Sequence, residues 1–369
     1  MKKLIVCGLV LGMLLCGCGS KPAETTVPTT VPVPTAAPTE AATVPTTAAT
    51  EAPTTVPTEP APVDVNPLTG EPLDAVSDQR PIAVMVNNFK AALPQCGIGK
   101  ADILYEILAE GDITRFCAYF TNPADAGPIG PVRSLRAYYL NIMRGYDAIC
   151  VAAGASPEAD NLVYSLGYDR INGLGGAGAG YFYRDEWRKN NRGYEHSMFV
   201  KGEDLLKGAA DGGKRLTETE GRNYGLFFDD DAPFGGAENA EIDIHFISSK
   251  NTRLTYDPEL GCYTAFQQGQ DLIDANTDEK LTFRNVVVLH AATSVYDEKG
   301  RRSVQTTGEN TGLYARDGKV IEITWKRASD TAPYEYYDLQ GNPVTFGVGK
   351  SYIAIIPESA TVDLTPAAG

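Results

Sequence analysis

Within residues 101–136 the charged side chains Glu106, Glu110, Asp112, Arg115, Arg133 and Arg136 are threaded through Ile, Leu, Tyr and Phe. Charges of both signs in such apolar company need partners, so the stretch predicts either a buried ion-pair network or a binding site. Arg133 and Arg136 are candidate anion hooks, because the planar guanidinium donates two parallel bonds to a carboxylate or phosphate. Glu106, Glu110 and Glu158 are candidate acceptors for hydroxyls or amines, and Asn87, Arg115 and Ser156 complete the expected ligand-binding set. His196 is the histidine in polar company, whereas His245 and His290 fall in strand-like runs. It is a candidate general base with Glu106 as orienting partner and Ser134 or Ser156 as weaker nucleophile candidates. No nucleophile elbow, known triad spacing or metal-ligand cluster accompanies them.

The elements that must position these groups read as follows. Residues 82–88 (IAVMVNN) form a short apolar run ended by Asn87-Asn88, which suits a buried strand. Residues 103–110 and 113–120 read as two strands turned by Gly111-Asp112. A spacing of four puts Glu106 and Glu110 on the same face in either regular structure, about 13 Å apart in a strand and about 6 Å in a helix. Strand favours the wider spacing, so these two carboxylates are not expected to form a close catalytic dyad. Ser134 is placed to cap a helix running to Arg144, residues 147–153 read as another buried strand, and Ser156-Pro157-Glu158 is a helix start. Strand, glycine turn and capped helix in that order indicate an α/β unit, whose ligands lie beyond the carboxyl ends of its strands. Asn87, Gly154 and Ser156 fall at such ends. A helix is also expected from Gly202 to Ala210.

From residue 240 the chain alternates, with Ile242, Ile244 and Phe246 followed by Leu254 and Tyr256, then Tyr263 and Ala265. Residues 285–290 form a clear strand, 314–325 a hairpin around Asp317-Gly318, and 334–339 and 351–357 complete a mostly antiparallel region. The expected organisation is an α/β (α+β) N-terminal domain over 63–225 and a mostly antiparallel β C-terminal domain over 226–369. The glycine-rich GLGGAGAG at 173–180 lacks both the Lys-Ser/Thr of a P-loop and the spacing of a dinucleotide fingerprint, so it reads as a loop.

Ahead of these domains, Lys2 and Lys3 precede an apolar run at residues 4–15, the length of a secretory leader and shorter than the roughly 20 residues of a membrane span. Leu15-Cys16-Gly17-Cys18 resembles a bacterial lipobox, which implies a leader over 1–17 and acylation of Cys18. Residues 18–62 are dominated by Pro, Thr, Ala, Val and Glu without apolar periodicity, so they read as a disordered stalk rich in polyproline II, at about 3.1 Å per residue. The formal net charge of −15 argues against nucleic acid as a partner. Of the seven cysteines, Cys96, Cys117, Cys150 and Cys262 sit singly, without the paired spacing of a zinc site. No metal and no cofactor is expected.

Several motifs in fixed order resemble the YerB family of bacterial lipoproteins. They are Asn66-Pro67-Leu68-Thr69-Gly70, residues 80–88 (RPIAVMVNN), 101–106 (ADILYE), 110–116 (EGDITRF), 129–136 (IGPVRSLR) and Ser156-Pro157-Glu158-Ala159. Looser likeness continues at 285–288 and 318–326. The resemblance implies a two-domain surface lipoprotein, with halves catalogued as domains of unknown function and no family catalytic residues to carry over. Two functions are therefore expected. The first is an accessory protein on the extracytoplasmic face of the membrane, tethered through lipid on Cys18, that binds cell-wall peptide, glycan or teichoic polymer. The alternative is a hydrolase or transferase of wall material with His196 and Glu106 in acid/base roles.

Overall fold

The computed structural model describes residues 64–73 and 77–366; the expected leader, Cys18 and the stalk lie outside the described residues. The N-terminal half contains β1 (Ile82–Asn87), β2 (Ile103–Leu108), β3 (Thr114–Phe120), α1 (Ala137–Gly145), β4 (Ile149–Ala152), α2 (Pro157–Leu166) and β5 (Arg170–Asn172). It is the α/β unit that the sequence predicts. β2 and β3 form an antiparallel hairpin across Gly111, whose φ is 53°. Ser156 caps α2, its Oγ accepting from Ala159 N at 3.3 Å, and Pro157 fills the first helical position. The helix Gly202–Asp211 also lies where expected. Ser134 does not cap α1. That helix starts at Ala137 with Arg136 in the cap position and no side-chain cap, while Ser134 Oγ donates to Ala153 O at 2.9 Å.

The C-terminal half is mostly antiparallel: β6 (Glu241–Ile247), β7 (Lys250–Asp257), β8 (Cys262–Gln267), β9 (Asn285–Ala291), β10 (Gly308–Arg316), β11 (Lys319–Arg327), β12 (Glu335–Asp338), β13 (Ser351–Pro357) and β14 (Thr361–Thr365). Strands of both halves combine in one eleven-stranded sheet of order β12-β11-β10-β9-β13-β2-β3-β1-β4-β5, with a short strand, Ala237–Glu238, beside β11. β13 is the seam. It runs parallel to β9 on one side and to β2 on the other, and is buried along its whole length. The continuous apolar run of β13 is the mark of a parallel strand covered on both faces, a reading that the surrounding alternation obscures.

Two cores cover the faces of this sheet. On one face Val84, Leu104, Phe116 and Val288 pack with Ile244, Phe246, Leu254 and Tyr263 of a six-stranded sheet built around β6, β7, β8 and β14. On the other, Met85, Tyr105, Tyr119 and Ile353 pack against Tyr139, Leu140 and Met143 of α1. The Asn66–Gly70 motif is clipped to the start of β2 through Asn66 Nδ2, which donates to Asp102 Oδ1 at 2.9 Å. Gly70 has φ 72° and a side chain there would meet Phe228 Cβ at 2.4 Å, so the turn requires glycine.

Between the two sheets lies a polar knot centred on Glu106, which is 0% exposed. Its carboxylate accepts from Asn88 Nδ2 (3.0 Å), Thr114 Oγ1 (2.6 Å), Thr252 Oγ1 (3.0 Å) and Tyr352 OH (2.5 Å), and pairs with Lys250 Nζ at 2.9 Å. Gln267 closes the ring, accepting from Lys250 Nζ at 2.6 Å and donating to Asn88 Oδ1 at 2.8 Å. The buried charge is thus paired and saturated, which is the condition for tolerating it. Removing one partner strands the other. Lys250→Met is expected to lower the unfolding free energy in urea by about 3–5 kcal/mol, and adding Glu106→Gln should restore part of that loss. Equal stability of Lys250→Met and the parent would show that the pair is not the fastening described.

Candidate functional site

The site is built at the carboxyl ends of β1 and β4, where two parallel strands part. β1 and β4 pair over Ile82–Val84 and Ile149–Val151, and beyond that point residues 132–135 wedge between them. Arg133 N donates to Met85 O at 2.8 Å and Ala153 N donates to Arg133 O at 3.0 Å, so this strap is fastened to both strand ends through its main chain. Leu135 N continues the pairing to Gly154 O at 3.0 Å. Such crevices at parting strand ends are the usual ligand positions of α/β sheets.

Two arginines converge here on one carboxylate, and a third, Arg133, lies beside them. Glu110 accepts from Arg115 Nη2 at 2.8 Å and from Arg136 Nε at 2.5 Å, and is also bonded by Arg136 Nη2. Arg115 further donates to Ser134 O, and Arg136 Nη1 to Leu135 O at 2.7 Å. Both guanidinium groups are thereby committed to the frame. Burial, with the Arg136 charge adding to it, lowers Arg115 to about 10 against the opposing pull of Glu110, which still leaves it charged at neutral pH. Arg133 is different. Its Nη1 reaches Glu195 O at 3.2 Å and the Glu195 carboxylate only at 3.8 Å, and its Nε is buried with no protein partner among the described residues. The side chain is 24% exposed and opens on a cleft of about 90 Å³ shared with Asn87, Glu110, Arg115 and His196.

His196 closes the cleft on the far side. Asn87 Oδ1 accepts from Phe89 N at 3.0 Å, which turns Asn87 Nδ2 toward His196 Nδ1 at 2.7 Å. Nδ1 is therefore the acceptor and Nε2 carries the proton, 3.5 Å from the Glu195 carboxylate. Burial lowers the His196 pKa, Glu195 opposes the shift, and Arg133 and Arg188 add to it.

Of the residues singled out in sequence, Asn87, Glu110, Arg115, Arg133 and His196 thus meet in one cleft. Arg136, Ser156 and Glu158 line a neighbouring hollow of about 310 Å³ instead. There Ser156 is engaged as a helix cap, and Glu158 accepts from Tyr296 OH at 2.6 Å, a bond that lowers its carboxyl below the usual range. Glu106 joins neither. It lies on the opposite face of the sheet within the Lys250 knot, so the expected His196–Glu106 pair does not form. Nor do Glu106 and Glu110 share a face. β2 ends at Leu108, and the turn closed by Ala109 N to Ile113 O at 2.7 Å carries Glu110 round to the arginines. Phe89, Ile113 and Glu195 are cleft residues that sequence reasoning missed, although Glu195 stands next to the singled-out His196. Among the described residues no cluster of His, Cys, Asp and Glu is arranged to hold a metal ion.

Comparison with known proteins gives a consistent result. The family model described as "Protein of unknown function (DUF3048) N-terminal domain" matches residues 68–215, and its C-terminal counterpart matches residues 242–353. The chain is 32% identical over 307 residues to "Putative lipoprotein YerB" of Bacillus subtilis (strain 168), covering 82% of this chain and 89% of that protein. The crystal structure of YerB protein from Bacillus subtilis matches with a TM-score of 0.70 at 30% identity, covering 81% of this chain and 99% of that one.

The depressed His196 pKa has a consequence for stability. Just below pH 6.5 the unfolded chain takes up a proton on this histidine that the native chain does not, so stability falls as pH drops through that window. In urea unfolding between pH 7.5 and 5.5, His196→Gln should show a shallower decline than the parent, by at most about 1.4 kcal/mol per pH unit. Identical slopes would mean that His196 titrates alike in both states.

Proposed function

This chain belongs to the YerB-like family, whose members pair the DUF3048 N- and C-terminal domains, and we propose that it is an envelope protein whose Arg133 cleft binds an anionic group of cell-wall material. The observation that carries the reading is the buried Arg133 Nε without an acceptor among the described residues, set in a cleft beside two arginines bonded to Glu110. A desolvated guanidinium nitrogen without an acceptor is costly, and a carboxylate or phosphate oxygen relieves that cost with two parallel bonds. The surrounding charge sharpens the point. A chain of net charge −15 repels anions at long range, so a local excess of arginine at strand ends is a selective feature.

The leader, Cys18 and the stalk supply the setting for this reading. Acylated Cys18 holds the protein at the outer face of the cell membrane, and the Pro/Thr-rich stalk carries the folded part toward the wall. Wall peptides, acidic glycans and teichoic polymers all offer the required group. The hydrolase reading has no comparable support, because Glu106 is locked in the Lys250 knot, Ser156 caps α2 and Ser134 is bonded to Ala153 O.

Thermal unfolding of the mature chain carrying Cys18→Ser, with lactate, inorganic phosphate and wall-derived carboxylates as probes, tests the cleft. A ligand at a hundred times its dissociation constant stabilises by about 2.7 kcal/mol, and that shift should vanish in Arg133→Ala. Glu195→Gln should bind the same probes several-fold more tightly, since it removes the carboxylate that competes for Arg133 and His196. An undiminished shift in Arg133→Ala would overturn the reading. For the anchor, Cys18→Ala should move the protein from the membrane fraction to the medium, and continued membrane retention would exclude the lipid tether.

A further inference from the structure

Arg133 and Glu195 border a second cleft as well as the first. On its other side lie Ser134, Ala153, Leu174, Arg184 and Tyr194, around a hollow of about 140 Å³. The two clefts adjoin at Arg133 and Glu195, so a groove running over both carries Arg133 at its midpoint. Each is deep enough for a single charged substituent and too small to engulf a polymer, so a long ligand must lie across the top.

What it would lie on is aromatic. At one end Phe89, 42% exposed, stacks on the His196 ring with centroids 5.6 Å apart and planes at 13°. At the other end Tyr194, 62% exposed, is backed by the Arg184 guanidinium 3.5 Å from its ring centroid. Each ring is held from one side by a packed nitrogen group and remains open to solvent, an arrangement that presents a rigid flat platform at little entropic cost. Exposed rings in a polar rim mark interaction surfaces. Peptide recognition by strand addition is not offered here, because the strap's main chain is already paired to Met85, Ala153 and Gly154. Recognition must rest on side-chain charge and ring faces. A sugar chain meets both requirements, with C–H faces for the rings and hydroxyls for the open Glu195 carboxylate.

Building on the anion reading of Arg133, we infer that the groove binds an acidic glycan, with a carboxylate-bearing sugar seated at Arg133 and neighbouring sugars stacked on Phe89 and Tyr194. The mature chain carrying Cys18→Ser is titrated with peptide-free oligomers of alternating N-acetylglucosamine and N-acetylmuramic acid, with neutral N-acetylglucosamine oligomers of equal length, with lactate and with a glycerol-phosphate polymer. The acidic oligomer should bind at least tenfold more tightly than the neutral one or the glycerol-phosphate polymer. Tyr194→Ala should weaken oligomer binding about tenfold while leaving lactate binding unchanged, Phe89→Ala should weaken oligomer binding about tenfold and lactate binding less, and Phe89→Trp should retain oligomer binding. Arg133→Ala should abolish both. If neither ring substitution alters oligomer affinity while Arg133→Ala still abolishes lactate binding, the glycan assignment fails and the anion site stands. If Arg133→Ala leaves lactate and oligomer binding intact, both fail. Equal binding of the neutral oligomer, or tighter binding of the glycerol-phosphate polymer, also overturns the acidic glycan.

Discussion

Glu106 is a carboxylate enclosed between two sheets, and much of the architecture follows from keeping it satisfied. Its donors come from the end of β1 (Asn88), from β3 (Thr114), from β7 (Lys250 and Thr252) and from the seam strand β13 (Tyr352). A buried charge that needs partners on separate elements penalises every register but one, since a slip of one residue turns each partner to the wrong face. The knot therefore fixes how the C-terminal strands meet the N-terminal hairpin.

The candidate cleft is the other side of the same constraint. At the end of β1, Asn88 turns into the knot and Asn87 turns the opposite way to meet His196. On β3, Thr114 bonds Glu106 while the next residue, Arg115, faces Glu110. Period-two alternation makes one layer's fastening and the other layer's cleft lining consecutive residues of the same strands. Glu110 then serves Arg115 and Arg136 together, which neutralises part of the charge, while Arg133, on the wedged strap, keeps a buried Nε with no partner among the described residues.

Where a residue's neighbours along the chain decide its conformation, the sequence was readable. Ser156-Pro157 starts α2, Gly111 turns the β2–β3 hairpin, and the alternation from residue 240 produces strands. The site was half readable for the same reason: charges embedded in apolar runs signalled buried or convergent roles, and Asn87, Glu110, Arg115, Arg133 and His196 do converge. The errors are all errors of partner. Ser134 has the right chemistry for a cap but finds Ala153 O first. Glu106 and Glu110 share a face only while the strand continues, and the strand stops between them at Leu108. Phe89 and Glu195 carried no local signal of a cleft, because a cleft is made by segments more than a hundred residues apart.

By itself, then, the sequence determined the family, the α/β and antiparallel character of the two halves, and the set of charged residues from which a candidate site had to be drawn. These follow from short-range physics: hydrophobic period, turn stereochemistry, helix capping and the cost of an unpaired charge in apolar surroundings. The tertiary structure alone decided that β13 joins the halves into one sheet, that Glu106 is a fastening and Glu110 a counter-ion, and that Arg133 lines the cleft with an Nε that has no partner among the described residues. Each of those outcomes depends on which distant donor reaches an acceptor first, and hydrogen-bond partners across a fold are chosen by geometry that no local spacing encodes.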